Sequence, residues 1–226
     1  MGSYAYCVVP IAHYPPAGLT GLDGASVEYL AAGPVGVWVS RMSRPQPGVA
    51  LLQAHNDVVE AAITEQVTPV PLRFGQWLAE EAQLVAGIEE KAARYVEQLE
   101  QFAGCLEFGL RFLDPSIGTE ARDVHPAGPI SGYEYMQALA ANSKLADQIR
   151  RQAEEVRERV GMILGHLIRA QQEEKSDSPH AVLTLSHLVA RPHLDEYREQ
   201  ARSLRTDFPA LRMLLSGPWP PYSFAA

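Results

Sequence analysis

The sequence predicts an α+β protein in two parts, on three observations. β-Branched and aromatic runs alternate with stretches of helical periodicity up to residue 113. Residues 114–130, rich in proline and glycine, interrupt that pattern and read as a loop at a domain boundary. Beyond them one seam repeats by fours and threes from 135 to 167, the signature of a single long helix. The expected domains are therefore 1–115 and 130–226.

Residues 4–11, Tyr-Ala-Tyr-Cys-Val-Val-Pro-Ile, read as a strand. Residues 12–26 are Gly- and Pro-rich and read as a loop. Gly18, Gly21 and Gly24 lack the flanking strand and helix of a phosphate cradle. Residues 27–42 read as a hairpin around Ala32-Gly33-Pro34, with Val35, Val37 and Val39 on one aliphatic face. Residues 49–66 form an amphipathic helix whose buried stripe is Leu51, His55, Val58 and Ala62, with Leu52, Val59 and Ile63 beside it. Residues 67–75 read as a strand carrying Pro69 and Pro71. Prolines at i and i+2 remove donors from one side, so this is an edge strand or a kinked one.

Residues 78–103 are expected to form one helix with Ile88, Ala92, Tyr95, Leu99 and Phe102 inward, stopped by Gly104. Strand 105–113 follows, with Leu106, Phe108, Leu110 and Phe112 opposite Glu107 and Arg111. Ser131 and Glu134 match a capping box for the long helix, which is expected to run to about Ser176. Its length would be roughly 65 Å at 1.5 Å per residue, so its coiled-coil-like seam must lean on another helix, in the chain or from a partner. A strand at 181–191, a helix at 193–207 and a strand at 211–215 precede the ending Ser216-Gly-Pro-Trp-Pro-Pro-Tyr-Ser-Phe224.

Composition narrows the function. Hydrophobic residues make up 46% of the 226 and charged residues 20%, which is ordinary for a globular protein. A net charge of −8 argues against general nucleic-acid binding. Cys7 and Cys105 sit in apolar runs and read as buried thiols rather than a disulfide or redox pair, which fits a reducing cytosol. The N-terminus has no basic region or cleavage site of a secretory signal, and no apolar run approaches the roughly 20 residues of a membrane span.

No catalytic template fits. The chain has no G-x-S-x-G elbow, Walker loop, H-E-x-x-H or C-x-x-C, and no two histidines stand at i, i+4. No catalytic residue, metal site, cofactor or small-molecule substrate is therefore expected. His55 reads as a satisfied core residue, and His187 with His193 as a solvated pair. Carboxylates lie beside arginines on helix faces, as Glu154 and Glu155 do with Arg150 and Arg151, and read as solvated ion pairs.

Two segments stand out because prolines sit among residues that should pair or pack. One is Val70-Pro71-Leu72-Arg73-Phe74-Gly75; the other is Gly217–Phe224. The second reads either as a strand pinned by Trp219, Tyr222 and Phe224 or as a stiff polyproline-like docking surface. The candidate protein-binding residues are Pro69, Pro71, Arg73, Phe74, Trp77, Pro218, Trp219, Pro220, Pro221 and Tyr222. A different class, a small-molecule enzyme or binder using His55 and Arg73, and a scaffold self-associating through 131–175, are the alternatives.

Five blocks in order give the chain a family likeness: Leu51-Leu52-Gln-Ala-His55, Pro71-Leu72-Arg73-Phe74-Gly75, Ser131-Gly-Tyr-Glu-Tyr135, His187-Leu-Val-Ala-Arg191 and Ser216–Phe224. Together they resemble the gas vesicle protein F/L family over nearly the whole length; Gln76-Trp77 departs from its pattern of small or hydroxyl and aliphatic residues. The resemblance implies a ferredoxin-like N-terminal domain and a helix-rich C-terminal one. It implies a non-enzymatic accessory or minor wall protein of gas vesicles, acting in the cytoplasm. Its partners would be the small hydrophobic wall protein and other accessory proteins.

Overall fold

A computed structural model describes residues 1–46, 48–117, 132–176 and 178–225. The expected capping box of Ser131 and Glu134 lies outside the described residues and side chains. The chain is α+β and falls into two compact units, Met1–Glu107 with Pro218–Ala226, and Phe108–Gly217. The division therefore differs from the expected one: the chain changes units within strands, and the tail belongs to the first unit.

In the first unit, β1 (Gly2–Pro10) is the centre of the sheet, with β2 (Glu28–Ala32) and β3 (Val35–Met42) on one side. β1 and β3 run antiparallel from Gly2↔Met42 to Pro10↔Val35, with a register shift between Ala5 and Cys7. Tyr4, Tyr6 and Trp38 are fully buried, and each polar tip has a partner, as burial requires. Tyr6 donates to Ser40 Oγ at 2.9 Å, and the Trp38 indole donates to the His13 carbonyl at 2.8 Å. α1 (Val49–Ala61) packs His55, Val58 and Val59 inward and ends five residues earlier than its sequence periodicity suggests.

The other edge of β1 carries only two stubs. β4 (Val70–Pro71) pairs at Cys7 and Val8, and β5 (Trp77–Leu78) pairs at Ser3 and Tyr4. Pro69 and Pro71 have no N–H to donate, so a long outer strand cannot form there. Residues 78–103 are not one helix: α2 (Glu81–Glu89) and α3 (Ala92–Phe102) break at Glu90-Lys91. Within α3, Gln98 rather than Leu99 is buried with Tyr95 and Phe102. Gly104, at φ +67°, ends α3 in the left-handed region that favours glycine.

The chain enters the second unit within β6 (Cys105–Leu113), whose Phe108, Leu110 and Phe112 are fully buried. α4 (Gly132–Leu164) is 33 residues long and stops before the expected Ser176. Residues beyond it form β7 (Ile168–Glu173), paired antiparallel with β8 (Ala181–Ala190). Pairing overrides the helix propensity of Ala, Gln and Glu here. α5 (Leu194–Asp207) and β9 (Arg212–Trp219) complete the unit, with sheet order β7-β8-β6-β9.

The C-terminal part of the α4 seam is covered within this unit, whereas Leu139 and Ala146 nearer its start are exposed. Ala153, Val156, Val160 and Leu164 pack into a core with Phe108, Leu185 and Tyr197. Over that stretch the unit's own sheet and α5 take the place of the expected partner helix. His187 is fully buried, correcting the expectation of a solvated pair with His193. It pairs with Tyr197 Oη at 2.7 Å and Gln171 Oε1 at 3.0 Å, and burial lowers its pKa to about 4. Both cysteines are free and buried.

Candidate protein-binding surface

The Leu72–Gln76 turn bridges the two stubs, and hydrogen bonds fix it from both ends. The Leu72 N–H donates to Tyr6 O and the Ala5 N–H to Gln76 O, each at 2.9 Å. The Gly75 N–H donates to Tyr4 Oη at 3.0 Å, and Gly75 sits at φ +94°, which other residues rarely adopt. His55 completes the lacing. Its Nε2 lies 3.0 Å from the Leu72 carbonyl, which can only accept, so Nε2 carries the proton. Nδ1 is then the acceptor for Tyr4 Oη at 2.9 Å.

The imidazole is therefore neutral. Burial lowers its pKa to about 4, against the opposing pull of the Leu72 carbonyl. Burial likewise pushes Tyr4 up to about 12, so the phenol keeps its proton. The relay holds the turn in shape and leaves no lone pair of His55 for a substrate or metal. Among the described residues no group of three or more His, Cys, Asp or Glu could hold a metal ion.

On this turn Arg73 is exposed and Phe74 half-buried, its ring 5.9 Å from His55 and 6.2 Å from Tyr4. The C-terminal tail lies against the same part of the unit. Tyr222 Oη donates to Asn56 Oδ1 at 3.2 Å. Ser223 donates its N–H and hydroxyl to the Glu107 carboxylate at 2.9 and 2.6 Å. Gln98 Nε2 donates to the Phe224 carbonyl at 3.0 Å, and Phe224 packs on Phe102. Of the two readings of the ending, a pinned strand describes Gly217–Trp219 and the anchors after it, since Pro220 and Pro221 are buried.

Between α1, the turn and the tail lies an apolar groove of about 480 Å³. Val49, Leu52 and Trp219 line it and are exposed by 86%, 53% and 46%, with Arg73, Phe74 and Tyr222 completing the walls. Of the residues singled out from sequence, Arg73, Phe74, Trp219 and Tyr222 thus meet. Pro69 and Pro71 are buried at the sheet edge, and Pro218, Pro220 and Pro221 shape the tail. Trp77 lies elsewhere: it packs on Gly2, and its indole donates to the Met42 carbonyl at 3.2 Å.

Sequence reasoning missed Val49 and Asn56, and placed Leu52 beside the buried stripe. A signal was present. Positions 49, 52, 53 and 56 form a second i, i+3, i+4, i+7 row on the same helix, with two apolar members. The tail's anchors Glu107 and Gln98 left no such mark.

Fold and surface together define a two-unit α+β protein in which Arg73, Phe74, Trp219 and Tyr222 line one apolar groove. The family described as gas vesicle synthesis protein GvpL/GvpF matches residues 2–226, and the chain belongs to that family. It is 25% identical to gas vesicle protein L1 of Halobacterium salinarum, covering 99% of this chain and 90% of that one. It is 26% identical to gas vesicle protein L of a Streptomyces species, covering 76% and 68%. Its fold is similar to the crystal structures of gas vesicle protein GvpF from Microcystis aeruginosa, at a TM-score of 0.76 with 18% identity, and from an Anabaena species, at 0.75 with 19%. The first match covers 100% of this chain and 99% of the other, the second 100% and 96%. No helix among the described residues is long and apolar enough to cross a membrane.

Proposed function

We propose that the protein is a non-enzymatic accessory protein of gas vesicle assembly that binds the hydrophobic wall protein through the groove between α1, the Leu72–Gln76 turn and the tail. One observation carries this reading. Val49, Leu52 and Trp219 are three of the large exposed apolar residues of the chain, and all three line one groove. Gathered exposure of that kind marks a docking site more often than scattered exposure does. Burying such a side chain contributes about 1.5–3 kcal/mol, so a partner with an apolar segment has a clear driving force.

The family supports the identity of the partner, because the relatives are gas vesicle proteins. Other accessory proteins are further partners, the site of action is the cytoplasm at the growing vesicle, and nucleic acid is not a partner. The competing reading, small-molecule chemistry at His55 and Arg73, draws little support, since both ring nitrogens of His55 are engaged.

Co-expression of the wall protein with tagged full-length chain tests the proposal. Leu52→Asp, on an exposed position, is expected to abolish capture while leaving the thermal midpoint near that of the parent. Undiminished capture by folded Leu52→Asp would overturn the groove as the binding site.

A further inference from the structure

Beside the apolar groove the first unit holds a second, more enclosed cavity of about 270 Å³. Arg73 and Tyr222 line both, so they form a wall between the two. Three cations line the cavity: Arg73 from the turn, Lys91 from the break between α2 and α3, and Arg94 from the first turn of α3. Leu84 and Ile88, both buried, lend it an apolar side. No Asp or Glu is among its described lining residues. The nearby Glu80 is turned to the Gln83 amide, 2.9 Å away.

A cavity lined by three cations and no described acidic side chain stands against the overall charge of a chain with 27 acidic and 19 basic residues. Arg41, Arg150, Arg157, Arg159 and Arg198 each pair with a carboxylate. Among the described residues Arg73, Lys91 and Arg94 have no such ion pair. Cations gathered with no acidic side chain among the described lining residues repel one another and focus a positive potential into a partly enclosed site. An anionic group entering the cavity would relieve that repulsion.

We infer that the two depressions form one bipartite dock, recognising a partner segment that places an apolar side chain in the groove and an Asp or Glu carboxylate against Arg73, Lys91 and Arg94. Continuity favours a peptide over a free anion. A small anion would use the cavity alone, whereas a chain crossing the Arg73–Tyr222 wall uses both halves. The inference rests on the groove being a protein-binding surface and adds the chemistry its partner must carry.

The test is fluorescence anisotropy of the full chain at low ionic strength, where rim charges act most strongly. The probes are a short labelled peptide with a leucine-rich half and a glutamate-rich half, and the same peptide with glutamine for glutamate. The acidic peptide is expected to bind at least about tenfold tighter. The double variant Lys91→Glu with Arg94→Glu, both exposed positions, should erase that preference with the thermal midpoint maintained. Leu52→Asp should weaken both peptides alike. Equal affinity for the two peptides, or a preference that survives the double variant, overturns the inference. Competition by free glutarate as effective as that by unlabelled acidic peptide overturns it too, in favour of a small-anion site. Capture of the wall protein by the same variants separates the two proposals. Capture without acidic preference overturns this inference alone; acidic preference without capture supports it and overturns the wall protein as partner.

Discussion

Tyr4 donates to His55 and His55 donates to the Leu72 carbonyl, so one neutral imidazole joins β1, α1 and the turn that presents Arg73. Replacing His55 by Phe strands a phenol and a carbonyl at a buried position. It should cost about 2–4 kcal/mol in urea denaturation, through unmet hydrogen bonds rather than lost volume. The same residue gives a pH signature. Its folded pKa of about 4 lies below the unfolded value of roughly 6.5, so the unfolded chain binds the proton first. The stabilisation is complete above about pH 6.5 and is lost as the pH falls towards 4, by roughly 3 kcal/mol. His187 shares this behaviour, with the same direction and a folded value of about 4. Stability measured from pH 7 to 4 should fall in the parent, and His55→Phe should remove its share of the slope. Arg73 is the opposite kind of residue. It is exposed and in no ion pair among the described residues, so Arg73→Ala should change stability by less than about 0.5 kcal/mol. A larger loss would make Arg73 a folding residue instead of a presented one.

At the scale of elements, short-range chemistry was legible and long-range pairing was not. The prolines at 69 and 71 pointed to an edge strand or a kinked one, and β4, at Val70–Pro71, is a two-residue edge strand. It also marked the turn and the ending as segments with a shared oddity, and these lie together. It did not show the break at Glu90-Lys91, because the apolar residues at 88, 92, 95, 99 and 102 are also consistent with one unbroken helix. Nor did it show that residues 168–173 leave α4 for a sheet, since Ala, Gln and Glu favour a helix until β8 offers a ladder. Glu107 stands opposite the apolar row of its strand, yet it is buried and holds Ser223. That contact spans 116 residues of sequence, which no local pattern encodes. Glu107→Ala should therefore release the tail. Amide exchange at residues 221–225 is expected to speed up while exchange in β1 and β3 stays unchanged.

At the scale of the molecule, the chain has a net charge of −8, and both depressions, the apolar groove and the cationic cavity, lie in the first unit. Composition argues against general nucleic-acid binding, and periodicity alone gave the α+β class. The candidate surface needed the fold, because its apolar members come from α1, the turn and β9 and its cations from the turn, the break before α3 and α3 itself. The central claim is that the groove of Val49, Leu52, Phe74, Trp219 and Tyr222 covers itself with the wall protein. Hydrogen exchange of the full chain, alone and in its complex with co-expressed wall protein, tests this most directly. The account predicts new protection at residues 49–56, 72–75 and 219–223. Protection confined to other segments, with these three unchanged, would contradict it.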